Sequence, residues 1–139
     1  MFKTILCAID GSAATERLLI YAMHFGKTEH VALHIVHVYQ LPTHYAAHEG
    51  YQALIAAHRG VAENVVLDAR HYLGETGVEA SGEAIEGAPA EVILAEAQRI
   101  AADLIIMGHR NPAHVADMLL GSVSQQVLNM ARIPVLVIQ

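Results

Sequence analysis

The chain reads Asp103-Leu-Ile-Ile-Met107 and continues as Gly108-His-Arg-Asn-Pro-Ala-His-Val-Ala-Asp-Met-Leu-Leu-Gly121-Ser122-Val-Ser124. The first run is apolar and predicts a buried strand, and the second leads into a helix. Loops at such a junction tend to bind anions, because small residues let the backbone approach a ligand and successive N–H groups converge on phosphate oxygens. The positive end of the following helix dipole faces the same position. The stretch therefore predicts a strand, an anion-binding loop and a helix in succession.

Other apolar runs predict the remaining strands. Residues 4–9, 31–38, 104–107 and 135–138 are apolar, with histidines interrupting only the second run, as expected of strands buried on both faces. Residues 78–85 alternate weakly and predict an edge strand.

Helical spacing lies between the strands. Leu18, Ala22 and Phe25 share a face of a first helix that Ser12 caps and Gly26 ends. A second helix is expected from about residue 45 to residue 73, before Gly74, with these apolar residues inward: Leu54, Val61, Val65 and Tyr72.

Two further helices complete an alternating order of strands and helices. The third opens at Gly87-Ala-Pro89, with Ile93, Ala97 and Ile100 inward. The fourth begins at Ser122, whose spacing to Gln125 is that of a capping box, and ends before Pro134; the apolar residues expected inward are Val123, Val127 and Met130. Alternation of this kind predicts one α/β domain over residues 1–139, with a parallel sheet and helices on both faces.

The whole pattern resembles the universal stress protein family, whose nucleotide signature has two glycines separated by two residues, a nine-residue spacer, and then Gly-Ser or Gly-Thr. Gly108 matches the first glycine and Gly121-Ser122 the closing pair, whereas Asn111 stands at the second glycine position. Asn tolerates the left-handed backbone region better than other non-glycine residues, so the loop can keep its shape. The other matching segments are Cys7-Ala-Ile-Asp10-Gly-Ser12, Val36-His-Val38, Gly87-Ala-Pro89 and Pro134-Val-Leu-Val-Ile138.

This resemblance implies a single open, doubly wound, five-stranded parallel sheet in the order 3-2-1-4-5. In open sheets ligands bind beyond the carboxyl ends of the strands, where the strand order reverses. The resemblance further implies a site for ATP with Mg²⁺ there, with Asp10 accepting a ribose hydroxyl or holding the cation. The expected contacts are Ala8, Asp10, Gly11, Ser12, Val38, Gly108, His109, Arg110, Asn111, Gly121, Ser122, Val123 and Ser124.

Several of these residues also have a purely structural interpretation. Ser122 can simply cap a helix, and Asp10 can end a strand and cap the first helix together with Ser12. Arg110 and His109 can be solvated loop residues instead of phosphate contacts. The alternative function is a nucleotide-free, dimeric interaction protein of the same fold, in which Asn111 and its neighbouring proline close the phosphate loop.

Composition narrows the function classes. A net charge of −6 with 8 Lys and Arg gives no basic surface for nucleic acid. No apolar run is long enough to span a membrane, and the single cysteine, Cys7, reads as a buried hydrophobe, so we expect a cytoplasmic protein without membrane insertion. No catalytic lysine loop or serine elbow occurs in the sequence, so hydrolysis of bound ATP is expected to be slow or absent.

The ten histidines form none of the standard metal-ligand patterns. His44 and His48 would share a helix face, and His34, His37, His58 and His71 lie near them in sequence. We expect surface histidines and no metal site.

The last strand, residues 134–138, would form an apolar sheet edge, which invites pairing with another chain. The resemblance points to the same contact. A homodimer through this edge is therefore expected, together with an unidentified protein partner.

Overall fold

Five strands form one parallel sheet in the order β3-β2-β1-β4-β5, in a computed structural model that describes residues 1–109 and 122–139. The strands are β1 (Thr4–Ile9), β2 (Ala32–Tyr39), β3 (Ala80–Glu86), β4 (Leu104–Gly108) and β5 (Val135–Ile138). The helices are α1 (Ala13–Thr28), α2 (Tyr51–Glu75), α3 (Pro89–Arg99) and α4 (Ser122–Met130). The predicted α/β class and strand order are confirmed.

The sheet separates two apolar layers. One layer packs α1 and α2 against the sheet through side chains such as Leu18, Leu73 and Ile35, all with 0% exposure. The other packs α3 and α4 through Ile93 and Val127. Strand β1 is central and pairs with both β2 and β4. Successive side chains of a strand point to opposite faces, so those of β1 alternate between the two layers. The predicted burial of Cys7 is confirmed, and burial raises the pKa of its thiol to about 12.

The predicted end of α1 at Gly26 is wrong, because the helix continues to Thr28. Gly26 is instead a position of close packing. A Cβ placed there would lie 2.6 Å from Cγ1 of Val78, so the missing side chain lets the helix approach the chain that enters β3.

The predicted bounds of α2 are also wrong, and its expected inward face is only partly right, because Val65 packs against the core whereas two other members are exposed. The helix begins at Tyr51, directly after Gly50 in the left-handed conformation with φ 83°, and it ends at Glu75. Its buried residues are Ala62, Val66, Ala69 and Leu73. Val61 is 66% exposed and Tyr72 is 38% exposed. The row that faces the sheet carries two alanines, which allow a closer approach than the larger side chains of the neighbouring row.

Smaller differences concern the ends of other elements. Val78 is buried but precedes β3, which starts at Ala80. Met130, expected inward, is 65% exposed at the last turn of α4, while Val127 fills the core below it. The side-chain amide of Gln125 donates to Asn129 Oδ1 at 3.4 Å, towards the end of the helix and not towards Ser122 as in a capping box.

In the described residues, no helix is both long and apolar enough to cross a membrane.

Two valines on α2 test which face of the helix packs on the sheet. Val66→Ala should lower the free energy of unfolding by about 2 kcal/mol, because it removes buried methyl groups and leaves a cavity. Val61→Ala, on the same helix but 66% exposed, should change it by less than about 0.5 kcal/mol. Urea denaturation of both variants measures this, and equal losses would contradict the packing described.

Candidate functional site

A cleft of about 530 Å³ opens at the carboxyl ends of β1, β2 and β4, where the strand order reverses. Three strands, the start of α3 and the first turn of α4 enclose it. The lining residues are Ala8, Ile9, Asp10, Val36, Val38, Pro89, Ile93, Met107, Gly108, Ser122, Val123 and Ser124. The volume lies in the range of small-molecule sites.

The floor of the cleft is apolar. Ala8 on β1 stands in register with Val36 on β2 and with Met107 on β4, so these three side chains lie side by side on the face that α3 covers. Ile93 of α3 packs above them, and all four residues are at most 9% exposed. Because alanine is much smaller than its two neighbours, the floor is deepest at Ala8. Such a surface suits a flat, largely apolar ring.

The first turn of α4 supplies the polar wall. Its leading backbone N–H groups have no partner within the helix and carry the positive end of the helix dipole, which favours an anion. Ser122 is exposed at the rim. Ser124 is only 3% exposed, and its hydroxyl donates to the carbonyl of Gly108 at 3.2 Å. Ser124 therefore ties α4 to the end of β4, and Ser122 carries the hydroxyl that reaches the opening.

Close packing explains the glycine at the end of β4. A Cβ on Gly108 would lie 3.2 Å from Cβ of Ala14, which is tighter than most such contacts. The glycine thus lets β4 end against the first turn of α1. This approach brings the end of β4 and the turn after β1 to the same cleft.

Asp10 lines the cleft and also orders the turn into α1. Its Oδ1 accepts hydrogen bonds from the Ser12 N–H at 2.9 Å and from the Thr15 hydroxyl at 3.2 Å. The Thr15 oxygen in turn accepts from the Gly11 N–H at 3.0 Å. Gly11 has φ +79°, a conformation that other residues adopt at a cost. The Asp10 carboxylate thus stabilises the turn between β1 and α1, and its contact with a ligand stays a prediction.

Some of the residues expected in the site lie elsewhere. Gly11 and Ser12 line a separate groove between α1 and α2, beside Val65 and Tyr72. Ser12 occupies the N-cap position of α1, but its side chain makes no capping hydrogen bond. His109 is 8% exposed, and its backbone N–H donates to the carbonyl of Ile138 at 2.9 Å. This hydrogen bond extends the pairing of β4 with β5.

Three expected contacts, Arg110, Asn111 and Gly121, lie outside the described residues. Conversely, sequence reasoning missed five lining residues: Ile9, Val36, Pro89, Ile93 and Met107. Apolar spacing predicted that Ile93 and Met107 are buried in the core. The same spacing is expected of a residue on the floor of a cleft, so it could not distinguish the two positions.

Few ionisable side chains line the described part of the cleft. Asp10 is the only ionisable side chain among the described lining residues, and its Oδ1 already accepts two hydrogen bonds. A transfer reaction at a phosphate normally uses a lysine, an arginine or a placed base beside the reacting group. Besides Asp10, the described part of the cleft offers backbone N–H groups and hydroxyls, which are groups that can bind an anion.

The fold and this cleft define a doubly wound α/β protein with an open cleft at the switch point of its sheet. A family model described as Universal stress protein family matches residues 1–139. The chain therefore belongs to the universal stress protein family. A relative from Thermus aquaticus, named as a universal stress protein in the QAH/OAS sulfhydrylase 3′ region, is 34% identical over 139 residues, which cover 100% of both chains.

Solved structures share the same fold. The structure of hypothetical protein MJ0577 matches with a TM-score of 0.84 and 27% identity, covering 99% of this chain and 96% of that one. A universal stress protein in complex with cAMP matches with a TM-score of 0.72 and 24% identity, covering 99% and 97% of the two chains.

The link between α4 and β4 can be tested through Ser124. Ser124→Ala removes the hydroxyl that donates to Gly108, so we expect a loss of about 1 kcal/mol in the free energy of unfolding. Gln126→Ala, an exposed position on the same helix, should change it by less than about 0.5 kcal/mol. Thermal and urea denaturation provide the measurement. A Ser124→Ala protein as stable as the wild type would contradict this role.

Proposed function

We propose that this protein binds ATP, together with Mg²⁺, in the cleft at the switch point and uses it as a regulatory ligand with slow or no hydrolysis. The observation that carries the proposal is the apolar floor facing a helix N-terminus across one cleft. A nucleotide has the same two halves, a flat base and an anionic phosphate chain. The adenine nucleotide cAMP in a structure of the same fold supports this choice of ligand class.

The adenine ring would lie on the floor, between the strand ends and Ile93. Val38 at the end of β2 would meet the edge of the base, the position that the family resemblance assigns to it. Burial of a planar ring against apolar side chains supplies much of the affinity in sites of this type.

The phosphates would lie at the first turn of α4. The backbone N–H groups of Ser122 and Val123 and the Ser122 hydroxyl are donors, and hydrogen bonds to ionised oxygens are stronger than neutral ones. Asp10 at the rim would hold the Mg²⁺, whose charge would neutralise phosphate oxygens when bound. From the sequence motif, the same phosphate contacts are proposed for Arg110, Asn111 and Gly121.

Two matched serines test this proposal. Ser122→Ala should weaken ATP binding about tenfold, because one hydrogen bond to an ionised oxygen is lost. Ser12→Ala should bind as the wild type does, because Ser12 lines the other groove. Isothermal titration calorimetry with and without Mg²⁺ gives both affinities, and circular dichroism confirms that each variant is folded.

The outcomes separate the proposal from its alternatives. Loss of affinity in Ser12→Ala alone would indicate that the ligand binds instead in the groove between α1 and α2. No binding by the wild type, with gain of binding in Asn111→Gly, would support the nucleotide-free interaction protein, in which Asn111 and the following proline fill the phosphate space. Binding by neither protein would contradict a nucleotide site here.

We further propose a cytoplasmic homodimer that pairs through β5. This strand is an outer strand of the sheet, and its residues Val135, Leu136 and Val137 are only partly buried within one chain. An apolar edge with unpaired backbone groups favours association with a second copy. An unidentified protein that responds to the bound nucleotide would be the downstream partner.

Light scattering after size exclusion tests the dimer. Val137→Lys should shift the protein towards monomer, because a charge enters an apolar contact. Ile20→Lys on α1, where Ile20 is 52% exposed, should leave the dimer intact. A wild type that is monomeric at micromolar concentration, or a dimeric and folded Val137→Lys protein, would contradict the proposal.

A further inference from the structure

A second polar cluster lies on the same face of the sheet as the cleft, towards the amino ends of the strands. His34 lies near the start of β2 and pairs in register with Ser81 of β3. Glu83 is two residues further along β3, so its side chain leaves the sheet on the same face. Glu96 and Arg99 of α3 cover this face. We call these four residues the His34 cluster.

Hydrogen bonds favour a proton on Nδ1 of His34. Nδ1 lies 2.7 Å from the Ser81 hydroxyl, and that hydroxyl donates to the carbonyl of Leu33 at 3.4 Å. The arrangement that satisfies all three groups has the His34 Nδ1–H donating to the Ser81 oxygen. In the neutral form of the ring, the other nitrogen, Nε2, then carries a lone pair. A hydrogen bond of this kind on the far nitrogen is also what orients histidines that bind metals.

The lone pair on Nε2 faces two carboxylates. His34 is 8% exposed, and among the residues that the structure describes Nε2 has no hydrogen-bond partner. It lies 3.6 Å from Glu83 Oε2 and 3.6 Å from Glu96 Oε1, beyond normal hydrogen-bond length. Buried polar atoms are nearly always satisfied, and three electron-rich atoms around one point leave room for a cation.

Arg99 supplies part of the missing positive charge. Its Nε donates to Glu96 Oε1 at 2.6 Å, and its guanidinium also reaches Glu83 Oε2 at 3.3 Å. These contacts hold the pKa of Glu96 below its ordinary value of 4.5, so both partners are charged at neutral pH. One guanidinium between two carboxylates leaves a negative excess. Because the Arg99 side chain is 60% exposed, it can leave the cluster without disturbing the core.

The spacing of the three ligand atoms suits a small divalent ion. The nitrogen and the two carboxylate oxygens all lie within 4.8 Å of one another. Two ligand atoms each about 2.1 Å from a tetrahedral zinc ion are about 3.4 Å apart, close to the two separations at Nε2. One imidazole and two carboxylates form a donor set that zinc accepts, with water completing the shell.

We propose that His34, Glu83 and Glu96 bind a divalent transition-metal ion, with zinc as the best fit, in competition with Arg99. The ion would join β2, β3 and α3. This proposal does not depend on nucleotide binding, because the cluster shares no residue with the cleft.

Zinc titration of the tag-free, chelator-treated protein tests the proposal. The wild type should bind one zinc ion per chain above any weaker surface binding. His34→Asn keeps an amide donor near the position of Nδ1 but lacks Nε2, so its affinity should fall at least about tenfold. Arg99→Gln removes the competing cation, so its affinity should rise about three- to tenfold.

Two controls keep the experiment decisive. His71→Gln removes an exposed histidine that pairs with Glu75 at 2.9 Å on α2, and it should bind zinc as the wild type does. If His34→Asn fails to fold, Glu83→Gln at the half-exposed carboxylate replaces it and should also weaken binding. Long-range ¹H–¹⁵N NMR should show zinc shifting the Nε2 resonance of His34.

Three results would overturn the proposal: unchanged affinity in folded His34→Asn or Glu83→Gln, loss of binding in His71→Gln, or weaker binding in Arg99→Gln. A simple structural role for the cluster predicts no gain of affinity on removal of Arg99, so that variant distinguishes the two explanations.

Discussion

The pairing of β1 with β4 is the constraint on which the remaining structure depends. From β1 the chain builds outward through β2 and β3, then returns across the sheet to place β4 on the other side of β1. With right-handed crossovers, this reversal puts α1 and α2 on one face and α3 and α4 on the other. The helices that follow β1 and β4 in the chain, α1 and α4, therefore lie on opposite faces. The cleft is the space that this arrangement leaves at the carboxyl edge.

The same face of the sheet carries different chemistry at its two ends. At the carboxyl ends of the strands, small and apolar side chains such as Ala8 form the floor of the cleft, and the first turn of α4 lines one side of it with backbone N–H donors. Towards the amino ends, His34, Glu83 and Glu96 bring three ligand atoms together beneath α3. Helix α3 links the two regions, since Ile93 packs on the floor of the cleft and Glu96, one turn later, lies in the His34 cluster. An ion bound at one end would thus fix the helix that covers the other.

The sequence predicted the strands well, because a strand buried on both faces must be apolar throughout, as residues 4–9 and 104–107 are. The order of the strands came from the family resemblance and not from the apolar pattern. Helix faces were harder to predict. Apolar spacing allowed two adjacent rows on α2, and it could not show that the row of Ala62, Val66, Ala69 and Leu73 is the one that packs on the sheet. The His34 cluster left no motif, since its ligands come from three separate elements. Ser124 was expected to contact ligand, whereas its donor is used within the fold.

An NMR titration of the ¹⁵N-labelled protein with Mg²⁺ and ATP tests the central claim most directly, because it reports which backbone amides sense the ligand. The account predicts saturable shifts that concentrate at Ala8, Val38, Gly108, Ser122 and Val123, around the cleft. The groove between α1 and α2 should respond only weakly, as reported by Thr15, Asp68 and Tyr72. Shifts confined to that groove, or no shifts at millimolar ATP, would contradict a nucleotide site at the switch point.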